Sequence, residues 1–128
     1  HIRGRATANR LHRTCRMPEL PLLKGTLDLL ILNTLSCGSL HGYAIPLWLE
    51  QRSGGALGID DSALYQSLHR LEDRGLVEAE WGITETNRRA RFYKLTSSGR
   101  QRLQSETDTW LRYTQSVTGI LALSSRAG

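Results

Sequence analysis

Apolar residues fall along this chain in five blocks, and their period changes from block to block. From Leu22 to Cys37, Leu23, Leu27, Leu30, Ile31 and Leu35 recur at helical spacing, while Leu29 and Leu32 widen the stripe. So wide a stripe predicts a helix with contacts on two sides, beginning at Pro21 and ending at Gly38. A shorter helix is predicted from Gly42 to Arg52, with Ile45, Trp48 and Leu49 on one side. Pro46 fits it only within the first turn, where backbone N–H groups have few intrahelical partners. Ser53-Gly54-Gly55 then ends it.

Asp60, Asp61 and Ser62 open a third helix, since each is a good N-cap and carboxylates suit the positive end of the helix dipole. Leu64, Leu68 and Leu71 stand at i, i+4 and i+7 and predict one buried stripe. Arg74-Gly75-Leu76 closes the helix, with glycine placed for a left-handed C′ residue and leucine for the hydrophobic contact beyond it. The opposite face carries Ser62, Gln66, His69 and Asp73, flanked by Tyr65 and Arg70. That surface is polar and hydrogen-bonding without being heavily charged.

The period then drops to two. Val77, Ala79 and Trp81 alternate with glutamates, and Arg91-Phe92-Tyr93-Lys94-Leu95 forms a second alternating run. Two short strands joined by the polar segment Gly82 to Arg89 predict a β-hairpin. The last element begins near Thr96-Ser97-Ser98 and is predicted to end near Leu123. Leu103, Trp110 and Val117 are seven apart, with Thr107, Thr114 and Leu121 in the intervening seam positions. A sustained seven-residue repeat fits a helix packed along another helix, although two threonines make this seam imperfect.

Composition adds limits. At 128 residues, with 39% apolar and 23% charged positions, the chain has room for one globular domain. No apolar run approaches the roughly 20 residues of a membrane span, and no signal-peptide core is present, so a cytoplasmic protein is expected. The net charge of +5 and pI near 9.8 suggest an anionic partner. Yet residues 1–16 hold five arginines and no acid, and the remaining 12 bases are matched by 12 acids. The global charge therefore belongs to the tail. That tail has no sustained apolar periodicity, and the only methionine is Met17. Residues 1–16 are expected to be a disordered basic tail, foreign to the domain or added by a mis-assigned start; the competing reading is a basic arm on DNA backbone. Mapped locally, residues 17–85 carry ten acids and four bases, whereas residues 86–104 carry six bases and no acid. A basic stripe on a neutral domain is the footprint of a protein that meets phosphate at one place.

Other chemistry finds little support. There is no Gly-rich phosphate loop after a strand, no H-E-x-x-H and no G-x-S-x-G, and Asp60-Asp61 is explained as a cap, so no enzyme is expected. His12-x2-Cys15 and Cys37-x3-His41 have ligand-like spacings, but the first pair lies in the tail and Cys37 ends an apolar helix; no metal or cofactor is expected. Cys37 has no charged neighbour to activate it for redox sensing. Two cysteines are too few for a disulfide framework.

Helix, helix, capped helix, hairpin and long helix is the order of a winged helix-turn-helix, a mainly α fold with a small β-hairpin. In that geometry the third helix enters the major groove, and the basic hairpin lies against the backbone or in the adjacent minor groove. Within this frame, Leu40-His41-Gly42-Tyr43-Ala44-Ile45, Ser62-Ala63-Leu64-Tyr65, Leu68-His69-Arg70-Leu71-Glu72 and Arg74-Gly75-Leu76 resemble the PadR family of transcriptional regulators. Asn87-Arg88-Arg89-Ala90-Arg91-Phe92-Tyr93, followed by Leu95-Thr96 and Gly99, resembles its wing and the start of its dimerisation helix. The resemblance covers about Leu22 to Leu123 and points to the branch with one short C-terminal helix.

The resemblance implies a bacterial DNA-binding regulator that represses transcription from a palindromic operator as a homodimer and is often released by an effector. Residues 17–96 would be the winged helix-turn-helix, 97–123 the dimerisation helix and 124–128 a disordered tail. Ser62, Tyr65, Gln66 and His69 would face the major groove of double-stranded DNA. Tyr43, Asn87, Arg88, Arg89 and Arg91 would hold backbone or minor groove. Leu27, Ile31, Leu103, Trp110, Val117 and Leu121 would meet the partner subunit. Plainer readings stand beside these: Tyr43 and Tyr65 as partly buried aromatics, the arginines as a solvated hairpin tip, and any of Ser62, Gln66 and His69 as a bystander. His41 reads as support for the start of the second helix. Trp48, Trp81 and Trp110 could line a cavity for a small apolar or aromatic effector, or simply pack the core. Two departures stand out. Gln66 replaces a proline common after the tyrosine of the third helix, and Gln66 suits adenine readout; Pro46 is also unusual. The other reading of the chain is a winged-helix dimerisation or ligand-binding module that no longer reads DNA.

Overall fold

In the computed structural model, which describes Leu20 and residues 22–127 and side chains as far as Leu123, the first helix starts later than its leucines suggest. The arginine tail, with His12 and Cys15, lies outside the described residues. Helix α1 spans Thr26–Thr34. Gly25 precedes it at φ 85, a left-handed conformation open to glycine at no steric cost, and it turns the chain into the helix. Upstream, Leu20 runs beside residues 56–58, donating its N–H to Ala56 O at 2.8 Å and accepting from Gly58 N–H at 2.9 Å. A 3₁₀ turn, Leu35–Cys37, follows α1.

Strand β1 (Leu40–His41) leads into α2 (Ala44–Ser53). Pro46 is the third residue of α2, within the turn whose N–H groups have no intrahelical acceptor, so it costs the helix no bond. Helix α3 spans Asp61–Asp73, and Asp60 Oδ2 accepts from Ala63 N–H at 3.0 Å as its N-cap. At the other end Gly75 adopts φ 74, and Leu76 N–H returns to Leu71 O at 2.9 Å, closing the helix as the Arg74-Gly75-Leu76 pattern predicts.

Strands β2 (Val77–Ile83) and β3 (Arg89–Leu95) pair antiparallel, from Val77↔Leu95 to Ile83↔Arg89. The hairpin is longer than its alternation suggests, leaving only residues 84–88 for the turn. There Asn87 N–H bonds Thr84 O at 2.9 Å and Thr84 N–H bonds Arg88 O at 2.8 Å, with Asn87 itself left-handed at φ 64. This is a type I turn with a bulge, and asparagine is among the few non-glycine residues that tolerate the position. β1 adds a third strand through Leu40↔Tyr93 and His41↔Phe92, giving the order β1-β3-β2. Two residues are too short a segment to show a period.

One core joins these elements. Ile31, Leu32 and Leu35, Ile45 and Leu49, the stripe Leu64, Leu68 and Leu71, and Val77, Tyr93 and Leu95 are all buried in it. Helix α4 runs Ser97–Ala127, past Leu123 and through most of the stretch expected as a tail, because neither proline nor glycine follows Gly119 before its end. It packs on α1 through its first half, where Leu103 reaches the core. Its start is fastened to the α3–β2 turn. Thr96 Oγ1 donates to Gly75 O at 2.7 Å and accepts from Gly99 N–H at 3.0 Å, while Thr96 N–H bonds Leu76 O at 3.1 Å. Among the described residues no helix is long and apolar enough to cross a membrane.

Gly99 makes this junction possible, since a Cβ there would run into the Leu76 carbonyl oxygen. Gly99→Ala should therefore push α4 off the turn and cost about 1–3 kcal/mol of stability, as overpacking does. Thermal unfolding of the two proteins checks this; equal midpoints would show that the junction relaxes freely.

Candidate nucleic-acid interface

The buried leucine stripe of α3 fixes which residues look outward. Ser62, Gln66 and His69 are exposed on the far side of the helix, and Tyr65 is half-buried at its flank. Arg70, the only Lys or Arg within α3, is taken by α1: its Nη2 donates to Asp28 Oδ1 at 2.7 Å and to Ser67 Oγ at 2.9 Å. The Asp28 hydrogen bond, aided by its charge, raises the Arg70 pKa further. The outward face of α3 therefore offers a hydroxyl, an amide and an imidazole, with the carboxylate of Asp61 beside them.

Tyr65 points back along the domain. Its hydroxyl donates to Gly42 O at 3.3 Å, and its ring lies where a Cβ on Gly42 would touch it at 3.4 Å. Burial pushes the Tyr65 phenol above its ordinary value of 10.0, with the Asp61 carboxylate and Tyr43 adding to the shift. With its one proton committed to a carbonyl, Tyr65 would have to give up that bond to donate to a phosphate. Tyr43, the N-cap residue of α2, is exposed instead. The Arg88 guanidinium lies 5.5 Å from the Tyr43 ring centroid, so the turn of the wing reaches across to the start of α2. Tyr65, Tyr43 and Arg88 thus link α3, α2 and the wing.

The remaining wing residues divide between the two faces of the hairpin. His41 sits among Tyr43 and Phe92, with ring centroids 6.0 and 5.4 Å away and Glu85 Oε1 4.0 Å from its Nε2. On the other face Arg89 is exposed and stacks over Trp81 at 4.6 Å. Arg91 turns inward, and its Nη2 donates to Glu72 Oε2 on α3 at 2.8 Å. Asn87 is exposed, but its backbone conformation already accounts for its presence. Sequence reading missed Asp28 and Glu72 as partners of these arginines, because pairings across 42 and 19 positions leave no local pattern.

The residues expected at a subunit interface divide as well. Ile31 has no exposed surface and belongs to this chain's own core, which leaves it nothing to offer a partner. Leu27 and Leu103 pack against that core. Trp110 is half-buried, whereas Val117 and Leu121 are exposed. Tyr113 and Ile120 extend the same stripe at i+3 spacing and are also bare; the seven-residue count passed over them. Between α1 and α4 lies an open cleft of about 410 Å³ bordered by Leu23, Leu29, Trp110 and Tyr113. Trp48 and Trp81 do not border it: Trp48 packs on the core under Arg52, and Trp81 stands on the wing. Of the three tryptophans, Trp110 alone lines this cleft.

A sequence profile of the transcriptional regulator PadR-like family matches residues 31–105. The negative transcriptional regulator PadR of Bacillus subtilis is 33% identical over 73 residues, 57% of this chain and 40% of that protein. Among solved structures the chain is similar to a transcriptional regulator from Clostridium thermocellum, with 25% identity and a TM-score of 0.67 over 74% of this chain and 89% of the other. It is also similar to Bacillus subtilis PadR in complex with operator DNA, with 30% identity and a TM-score of 0.58 over 64% of this chain and 46% of that one.

Tyr65→Phe should lower stability by about 1 kcal/mol through the lost bond to Gly42, whereas Tyr43→Phe should leave it unchanged. A tyrosine whose pKa is raised by folding contributes its stability below pH 10.0 and loses it as pH rises through the higher folded value. The wild type should therefore weaken above that pH more steeply than Tyr65→Phe. Alkaline melts that superimpose would show that the phenol is not held by the fold.

Proposed function

The chain belongs to the transcriptional regulator PadR-like family, and from that premise we propose that it is a repressor that binds a palindromic operator as a homodimer. The observation that carries this reading is the link from α3 through Tyr65 to the start of α2, and from Tyr43 there to Arg88 on the wing, with the polar face of α3 exposed beside it. In this reading Ser62, Gln66 and His69 meet base edges in the major groove, Tyr43 and Arg88 hold phosphate, and Arg89 follows the wing toward the minor groove. A solved relative bound to operator DNA supports a DNA partner.

Residues 17–96 then form the DNA-binding unit and α4 the dimerisation element. Tyr113, Val117, Ile120 and Leu121 give α4 an apolar stripe with no cover in a single chain, and a second copy would bury it. Two-fold pairing of recognition helices matches a palindromic site. The cleft beside Trp110 and Tyr113 has the size and lining for a small apolar or aromatic effector that would release the operator.

The test is a salt titration of binding to a duplex that the protein enriches from a randomised pool. Arg89→Ala should weaken binding to all duplexes and flatten the dependence of log K on log salt by about one unit. Gln66→Ala should relax preference at one position per half-site by about 1–3 kcal/mol if it reads adenine through both amide atoms. Failure to enrich any duplex would favour the module that no longer reads DNA.

Dimerisation has its own check. Leu121→Glu places a charge in the bare stripe and should convert the protein to monomer in light scattering, with a melting temperature that no longer rises with concentration. A dimer unaffected by it would place the interface elsewhere.

A further inference from the structure

Arg91 stands in the basic stripe, where a phosphate contact is expected, but its surroundings describe another task. Nη2 donates to Glu72 Oε2 at 2.8 Å, and both side chains keep only about a third of their surface, 32% and 29%. The guanidinium also lies 5.7 Å from the ring centroid of Tyr93, a core residue. Its Nε is buried and finds no hydrogen-bond partner among the described residues. Across the hairpin Arg91 pairs with Trp81, over which Arg89 is stacked. A phosphate approaching Arg91 would have to displace a carboxylate from a partly desolvated site; at Arg88 and Arg89 it meets exposed guanidinium groups.

We propose that Glu72 and Arg91 form a brace that sets the angle between the recognition helix and the wing, so that Arg91 is a positioning residue and not a phosphate contact. This rests on the regulator reading above. Glu72 lies near the end of α3, and Arg91 lies in the half of the hairpin nearer its turn. The pair therefore ties the end of α3 to the turn-side half of the hairpin, beyond the shared core that holds the hairpin's base. A fixed angle fixes the distance along the duplex between what α3 reads and where the wing lands. Loss of the brace removes selectivity, because only the correct duplex uses both contacts at once.

The experiment uses the full chain, the duplex it enriches from a randomised pool, and a random-sequence duplex of equal length. Glu72→Gln keeps the size of the side chain and removes its charge, so the fold tolerates it. It should weaken binding to the enriched duplex by about tenfold, the scale of one charge-assisted hydrogen bond, and leave random-duplex binding and the salt slope unchanged. Arg91→Ala should act alike, and Arg91→Lys, which keeps a cation within reach of Glu72, should restore most of the preference. Tighter binding of Glu72→Gln to both duplexes, with a slope steeper by about one unit, would overturn the proposal by showing that the released Arg91 meets phosphate. A slope flattened by about one unit in Arg91→Ala would overturn it in the same way. If the wild type enriches no duplex, the regulator reading falls and the brace with it.

Discussion

Leu64, Leu68 and Leu71, each at most 1% exposed, lock α3 against rotation about its own axis. A turn of 100° per residue leaves the helix no freedom to exchange faces without exposing all three leucines, at roughly 1.5–3 kcal/mol apiece. Ser62, Gln66 and His69 face outward because the leucines face inward. The caps at Asp60 and Gly75 fix where the helix begins and ends, so the burial of one face specifies both the direction and the length of the other.

What was legible in the sequence follows from that coupling. Each element whose signal is local was readable: the leucine stripe, the Asp60 cap, the Gly75 closure and the alternation of the wing. The start of α1 was misread because Leu23 keeps the helical period while Gly25, two residues on, breaks the backbone conformation. Strand β1 was missed because two residues have no period. Ile31 was assigned outward because a wide apolar stripe shows that two sides are covered without showing by whom; its cover is this chain's own core. Tyr113 and Ile120 were overlooked because a strict seven-residue count samples only part of a helical stripe.

The charge map was the least faithful guide, for a physical reason. A count of bases locates a cationic segment, but ion pairing decides which cations remain available to a partner. Arg91 is held by Glu72, and Arg100 donates a hydrogen bond to Ser36 O at 3.4 Å. On α3, Arg70 is held by Asp28. Arg88 and Arg89 are left exposed on the wing, each resting on an aromatic ring that costs it little hydration. Pairing thus removes Arg91 from the wing's basic cluster, Lys94, Arg100 and Arg102 stay exposed away from the turn, and the one arginine of α3 is already taken.

The joint at Gly99 has a mechanical meaning. Helix α4 starts in direct backbone contact with Leu76, at the turn that ends α3, and it extends for 31 residues, about 46 Å. A helix of that length rooted so close to its fulcrum acts as a lever. A tilt of a few degrees at the root would sweep the far end through several ångströms. A side chain between the two backbones would have cushioned that motion. With glycine there, the root of α4 and the end of α3 meet backbone to backbone.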